Sequence, residues 1–204
     1  MRKIIYTILF GDYKLHEPEY FNPNWEHICF SDRNRKSKNW KVIPYSFKNM
    51  TPRKKSRFVK IKFDDFISSD INIYIDSKFK ITCDLDKFVE ENLKFDIAVM
   101  KHKERSCAYA EAEFCIKHKI EQKEILGKQM RQYEKEGFPK NFGLYAPGIM
   151  IRKNTSEVKQ FMKLWWDEVN KYSSRDIPSL SYCLWKHPIE LSLMKFKETY
   201  DLFR

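Results

Sequence analysis

The chain has no Cys-x-x-Cys pair, and its five cysteines (Cys29, Cys83, Cys107, Cys115, Cys183) are scattered and odd in number. That excludes a disulfide framework and a cysteine-built zinc site, and it points to reduced, mostly buried thiols in a cytosolic setting. No apolar run approaches the ~18 residues a membrane-spanning helix needs. Residues 4–10 follow Met1-Arg2-Lys3 as the core of a signal peptide would, but the run stops at Gly11-Asp12 and no small-x-small cleavage site follows. A repeat, a low-complexity tract and a linker that would split the chain are all missing. Residues 1–204 therefore read as a single domain, whether or not they belong to a longer polypeptide.

Negative charge is also in short supply, with 28 Asp and Glu against 39 Lys and Arg, a formal net charge of +11. The cations cluster at Arg33, Arg35, Lys36 and Lys38, at Arg53, Lys54, Lys55 and Arg57, and at Lys101, Lys103 and Arg105. Such groups suit a polyanion (nucleic acid, membrane surface or nucleotide diphosphate), or simply form a solvated face. An aromatic content of 16% is more than a disordered chain would carry.

Patterning gives the architecture. Residues 4–10, 27–30, 40–43, 71–75, 97–100 and 149–151 read as strands, the third closed by Pro44 and the last preceded by a Pro147-Gly148 turn. Thr51-Pro52 opens a helix whose inward face carries Val59, Phe63, Phe66 and Ile67. Asp84 caps a helix through Leu93, residues 105–136 are largely helical up to Gly137, and Asn154 caps an amphipathic helix. In that last helix Val158, Phe161, Met162, Trp165 and Val169 form a core stripe rather than a ligand site. Strands alternating with helices predict an α/β fold, a mostly parallel central sheet flanked by helices.

The segment Ile71-Asn72-Ile73-Tyr74-Ile75-Asp76-Ser77-Lys78 is a buried β-branched run ending abruptly in polar residues. Ligands of open α/β sheets collect beyond such strand ends. Asp76 could hold a hard divalent cation there, and Lys78 could meet a phosphate. Polar groups also follow other strands, with Gly11-Asp12-Tyr13, Ser31-Asp32 and Gly148 joining Asp76-Ser77-Lys78. A nucleotide sugar needs such a set: a carboxylate for base or ribose, positive charge for the diphosphate, and a glycine permitting close approach to the sugar.

In this order the chain resembles GT-A glycosyltransferases, and more closely a plant and viral glycosyltransferase-like family once catalogued as a domain of unknown function. The resemblance runs from Tyr6 to about His187. It rests on Tyr6-Thr7-Ile8-Leu9-Phe10-Gly11, Cys29-Phe30-Ser31-Asp32, the basic helix with Arg57 and Lys60, Ile75-Asp76-Ser77-Lys78, Gly148-Ile149-Met150-Ile151-Arg152 and Arg175-Asp176. Its most specific block is His102-Lys103-Glu104-Arg105-Ser106-Cys107-Ala108-Tyr109-Ala110-Glu111-Ala112. The chain is also similar to a chlorella-virus glycosyltransferase domain that builds capsid glycans, which for a viral protein would place it in host cytoplasm. The resemblance implies a GT-A-like fold with a Rossmann-like nucleotide-binding half. It further implies a UDP-linked donor such as glucose or rhamnose, a glycan acceptor, and Mn²⁺ or Mg²⁺ as cofactor.

Carried over, it puts Gly11 and Asp32 near the nucleotide and turns Arg57 and Lys60 toward the diphosphate. Asp76 takes the first position of an Asp-x-Asp metal motif, with Lys78 where the second Asp is expected, and His187 stands where a late metal-binding His falls. Ser77, Lys78, Arg105 and Gly148 complete the expected substrate contacts. An inverting reaction needs a base within hydrogen-bond reach of the acceptor hydroxyl. Asp176 is the first choice, with the alternative that it only charges a helix N-terminus. Glu111 is second, with a salt-bridged alternative, and His102 is a third candidate that could equally bind sugar. Rival readings are a basic nucleic-acid-binding module, although no nucleic-acid motif is found, and an inactive sugar-nucleotide binder. A two-metal nuclease or phosphatase would need more carboxylates than Asp-Ser-Lys supplies.

Overall fold

The computed structural model describes residues 1–45 and 49–203. Seven strands form one sheet in the order β3-β2-β1-β4-β6-β5-β7. They are β1 Lys3–Leu9, β2 Glu26–Ser31, β3 Lys41–Pro44, β4 Ile71–Ile75, β5 Ile97–Lys101, β6 Tyr145–Lys153 and β7 Leu191–Met194. Only β6 runs against its neighbours, pairing antiparallel with both β4 and β5. The helices are α1 Pro52–Ile61, α2 Leu85–Asn92, α3 Ala108–Lys117, α4 Lys123–Lys135, α5 Ser156–Lys171, α6 Asp176–Lys186 and α7 Phe196–Asp201. The expected α/β layout, a mostly parallel sheet flanked by helices, is the one observed. Among the described residues no helix is long and apolar enough to cross a membrane.

The period of two along the strands divides the core. From β1, Ile4, Tyr6 and Ile8 enter one apolar cluster while Ile5 and Leu9 enter the other. The first cluster is covered by α1, α5 and α6, through Val59, Trp165 and Leu180 among others. The second is covered by α2 and the carboxyl-terminal segment, through Leu85, Phe88 and Phe203. The α5 stripe is buried as expected, and Trp165 does more than fill space. Its indole N–H donates to the Asp176 carbonyl (3.2 Å) and to Ser179 Oγ (3.2 Å), fixing the start of α6 against the core.

Several local expectations are corrected. The helix opened by Thr51 is capped as foreseen, Thr51 Oγ1 accepting from the Lys54 N–H. However, it ends at Ile61, and Phe63 lies in a following 3-10 turn, its ring stacked 4.0 Å from that of Tyr6. Pro44 lies within β3 rather than after it. The cap of α5 is Thr155, not Asn154. The helical stretch before Gly137 is two helices, α3 and α4.

Most consequential for the site, Pro147-Gly148 is no turn but lies inside β6. The pairing of β5 with β6 slips there, from Val99 opposite Met150 to Met100 opposite Ala146. A bulge tolerates a proline that has no N–H for the ladder. It also presses Gly148 onto the end of β4, where the Asp76 N–H donates to the Gly148 carbonyl at 2.8 Å.

Candidate active site

Two cavities open beyond the carboxyl end of β4 and share Arg57, Asp76 and Lys78 as a common wall. The larger, about 640 Å³, lies between the ends of β1 and β4 and the start of α1, and Tyr13, Lys14, His16 and Ser77 also line it. The smaller, about 320 Å³, reaches from that wall toward the ends of β5 and β6 and the start of α6, past His102, Arg105, Gly148 and Arg175.

Each part of the wall follows from local structure. Thr51 and Pro52 set the start of α1, and Arg57 and Lys60, three residues apart, project from one face of it. Both reach Asp176, the first residue of α6, with Arg57 Nε at 3.1 Å and Lys60 Nζ at 2.7 Å. Burial alone would raise the Asp176 carboxyl, but the two cations outweigh it and hold the group well below the usual carboxylate range. A carboxylate so stabilised is a weak base. The structure thus gives Asp176 the work of a counter-ion and removes the reason for choosing it as catalytic base.

Asp76 is half-buried. Its Oδ1 accepts from Tyr74 Oη at 2.7 Å, and burial together with the Asp76 charge pushes the Tyr74 hydroxyl far above its ordinary value. A Cβ added at Gly148 would lie 3.0 Å from Asp76 Oδ2. A larger residue at 148 would require that carboxylate to shift by a few tenths of an ångström, so Gly148 packs against Asp76, whereas the sequence reading assigned it close approach to the sugar. Lys78 is exposed and leans over the rings of Phe79 (5.0 Å) and Tyr200 (5.7 Å).

A second buried acid stands behind the smaller cavity. Glu111 accepts from Arg105 Nε at 2.6 Å and lies 3.4 Å from Arg175 Nη2, holding both guanidinium groups toward the cavity. It does not line the cavity itself, which matches the salt-bridged alternative rather than a base. His102 does line it. Its Nδ1 accepts the N–H groups of Glu104 (3.3 Å) and Arg105 (3.1 Å), and burial, opposed by Glu111, lowers its pKa. Its Nε2 lies 3.4 Å from Arg105 Nη2, so both ring nitrogens face N–H donors of the 104–105 segment.

Gly11 and Asp32 meet each other rather than the cavities. The Gly11 N–H, at a φ of +93° that glycine readily adopts, donates to both Asp32 oxygens at 3.0 and 3.1 Å. Their bond closes the ends of β1 and β2 beside Tyr13, the ring nearest Gly11. His187 is exposed and follows the last residue of α6. At ~1.5 Å rise per residue, the helix carries it roughly 16 Å from its amino-terminal end at the cavity. The structure does not bring it to Asp76.

The cofactor expectation can be tested on the donor set. Mn²⁺ or Mg²⁺ wants several oxygen ligands, one or two of them carboxylates. At the shared wall Asp76 is the one carboxylate, and Asp176 is already committed to Arg57 and Lys60. Among the described residues no three His, Cys, Asp or Glu side chains gather as a metal set. Six cationic side chains line the smaller cavity against three acidic ones. These residues do not fit a protein-held divalent cation.

Sequence reasoning placed Tyr13 in the strand-end set but missed Arg175, Lys103, Lys14 and His16 as cavity residues, and also Phe196 and Tyr200 from α7. Arg175 and Lys103 were adjacent to residues it selected. The aromatic spacing of 196 and 200 was the one signal for α7, where the two rings stack at 5.5 Å.

An open α/β sheet of this class offers its ligand crevice beyond the carboxyl ends of its strands, and here that crevice is lined by cations. The chain belongs to the TOD1/MUCI70 glycosyltransferase-like domain family, whose family model matches residues 25–203. Among solved structures it is similar to the apo form of WbbM, a bifunctional glycosyltransferase, at 9% identity and a TM-score of 0.49. That match covers 95% of this chain and 38% of the other, so the chain spans well under half of that protein. A search of curated proteins finds no match.

Proposed function

We propose that the chain is a glycosyltransferase that takes a sugar from a nucleoside diphosphate, UDP, and passes it to a hydroxyl of a glycan acceptor. The observation that carries this reading is the pair of cavities meeting at Arg57, Asp76 and Lys78. The larger has room for a nucleoside and offers Tyr13 as an aromatic face. The smaller suits a sugar and the approaching acceptor. A diphosphate bridging them would lie against Arg57 and Lys78, with Lys60 behind.

In that arrangement the protein's contribution is chiefly electrostatic. Fixed cations aimed at the departing diphosphate stabilise charge as it develops, without reorganising at the moment of reaction. Asp176 keeps Arg57 and Lys60 in place. Glu111 does the same for Arg105 and Arg175, both of which line the smaller cavity. Asp76 accepts from sugar hydroxyls, and His102 lines the cavity on the sugar side. Glucose and rhamnose are the donor sugars that the family resemblance favours.

The test is release of the nucleoside diphosphate (UDP, or GDP from GDP-mannose) from a panel of UDP-glucose, UDP-galactose, UDP-rhamnose and GDP-mannose by wild type and Asp76→Ala. Turnover of one UDP-sugar, reduced at least ~100-fold in the variant, is the expected result. Equal turnover by both proteins would remove Asp76 from the site.

A further inference from the structure

We infer that in this chain Lys78, acting with Arg57, takes the place of the divalent metal at the leaving diphosphate, so that donor binding and transfer proceed without a metal ion. The inference rests on the nucleotide-sugar reading above and specifies its chemistry. Lys78 lies on the wall common to both cavities and is the exposed cation there. No ion pair to it is formed among the described residues, and the contacts of its ammonium are the faces of Phe79 and Tyr200. Ring faces orient an ammonium without cancelling its charge, leaving its hydrogen-bond donors for an incoming anion.

The remaining positive charge is already built. Arg57 and Lys60 contribute two cations against the single charge of Asp176. Asp76, the one carboxylate on the wall shared by the two cavities, already accepts from Tyr74 Oη through Oδ1. A divalent ion placed between Lys78, Arg57 and Lys60 would be repelled by all three, whereas a diphosphate would be attracted by all three.

The step is balanced without a metal. The bond between the anomeric carbon and the β-phosphate oxygen breaks with its electron pair going to that oxygen. The acceptor oxygen bonds to the anomeric carbon, and the acceptor's proton passes to water. The extra negative charge on the departing diphosphate is met by the Lys78 ammonium and the Arg57 guanidinium.

Calorimetric titration with UDP, in EDTA and then in Mn²⁺, is the test, on wild type, Lys78→Ala and Lys78→Asp. Lys78 is exposed, so both variants are expected to fold, which thermal melting checks. Wild type is expected to bind UDP with affinities within about threefold in the two conditions, and Lys78→Ala to bind at least ~10-fold more weakly in both. Lys78→Asp, which restores a second carboxylate, is expected to bind UDP only with Mn²⁺. Binding by wild type that requires Mn²⁺ overturns the inference and leaves the transferase reading standing. Absence of UDP binding in both conditions overturns that reading and the inference with it.

Discussion

Replacing Asp176 by Ala is expected to cost about 3–5 kcal/mol of folding stability, the scale for breaking a buried ion pair from one side. Lys60 and Asp176 are 2% and 4% exposed, so the variant leaves an ammonium in the interior with no counter-charge. Urea unfolding at neutral pH reads the loss directly. Adding Lys60→Met to Asp176→Ala removes the stranded charge and should recover part of it. The pH dependence has a definite sign. The folded-state carboxyl is held below its ordinary value near 3.8, so its contribution is complete above that value and is lost as pH falls through the lower, folded one. Wild type should therefore lose its advantage over Asp176→Asn progressively on acidification. A loss under about 1 kcal/mol in Asp176→Ala would mean that the carboxylate is hydrated rather than clamped.

Arg57→Ala is expected to lower turnover of the donor by ~10²–10³, the range for removing one fixed donor aimed at developing charge. The affinity for UMP should change much less if, as proposed, the guanidinium meets the second phosphate. That separation distinguishes direct contact from general loosening. Arg57 also supports Asp176, but Lys60 still pairs with that carboxylate at 2.7 Å in the variant's starting structure. The stability loss should accordingly be smaller than for Asp176→Ala. Equal loss of UMP and UDP affinity would place Arg57 in a purely structural role.

How far the sequence could be read follows from the kind of signal each element carries. The β4 run and the α5 stripe were legible because burial on both faces, or on one helical face, leaves a composition that nothing else explains. Thr51-Pro52 and Asp84 were legible because capping is local chemistry, and both side chains cap as foreseen. The Pro147-Gly148 bulge was not, because the same two residues most often make a turn, and only pairing with β5 decides between the two. The carboxyl-terminal β7 and α7 were missed because β7 is a four-residue edge strand with Leu193 facing outward, too short and too mixed for a period to emerge.

The candidate site divides the same way. That Asp76, Lys78, Arg57 and Lys60 would converge was legible from strand-end logic and the family resemblance together. What each one touches was not. The choice of Asp176 as base could not foresee that α1 would supply two cations to it, since those contacts span 116 residues of sequence in the case of Lys60. Glu111 likewise sits six residues from Arg105 and 64 from Arg175, and only the fold gathers them.

The central claim is that a diphosphate bridges the two cavities at Arg57 and Lys78. Parallel titrations of the wild-type chain with UDP and with UMP test it most directly, because the two ligands differ only in the phosphate that would meet those cations. UDP should bind at least ~10-fold more tightly, corresponding to about 1.4 kcal/mol. Equal affinities, or no saturable binding of either, would contradict the account.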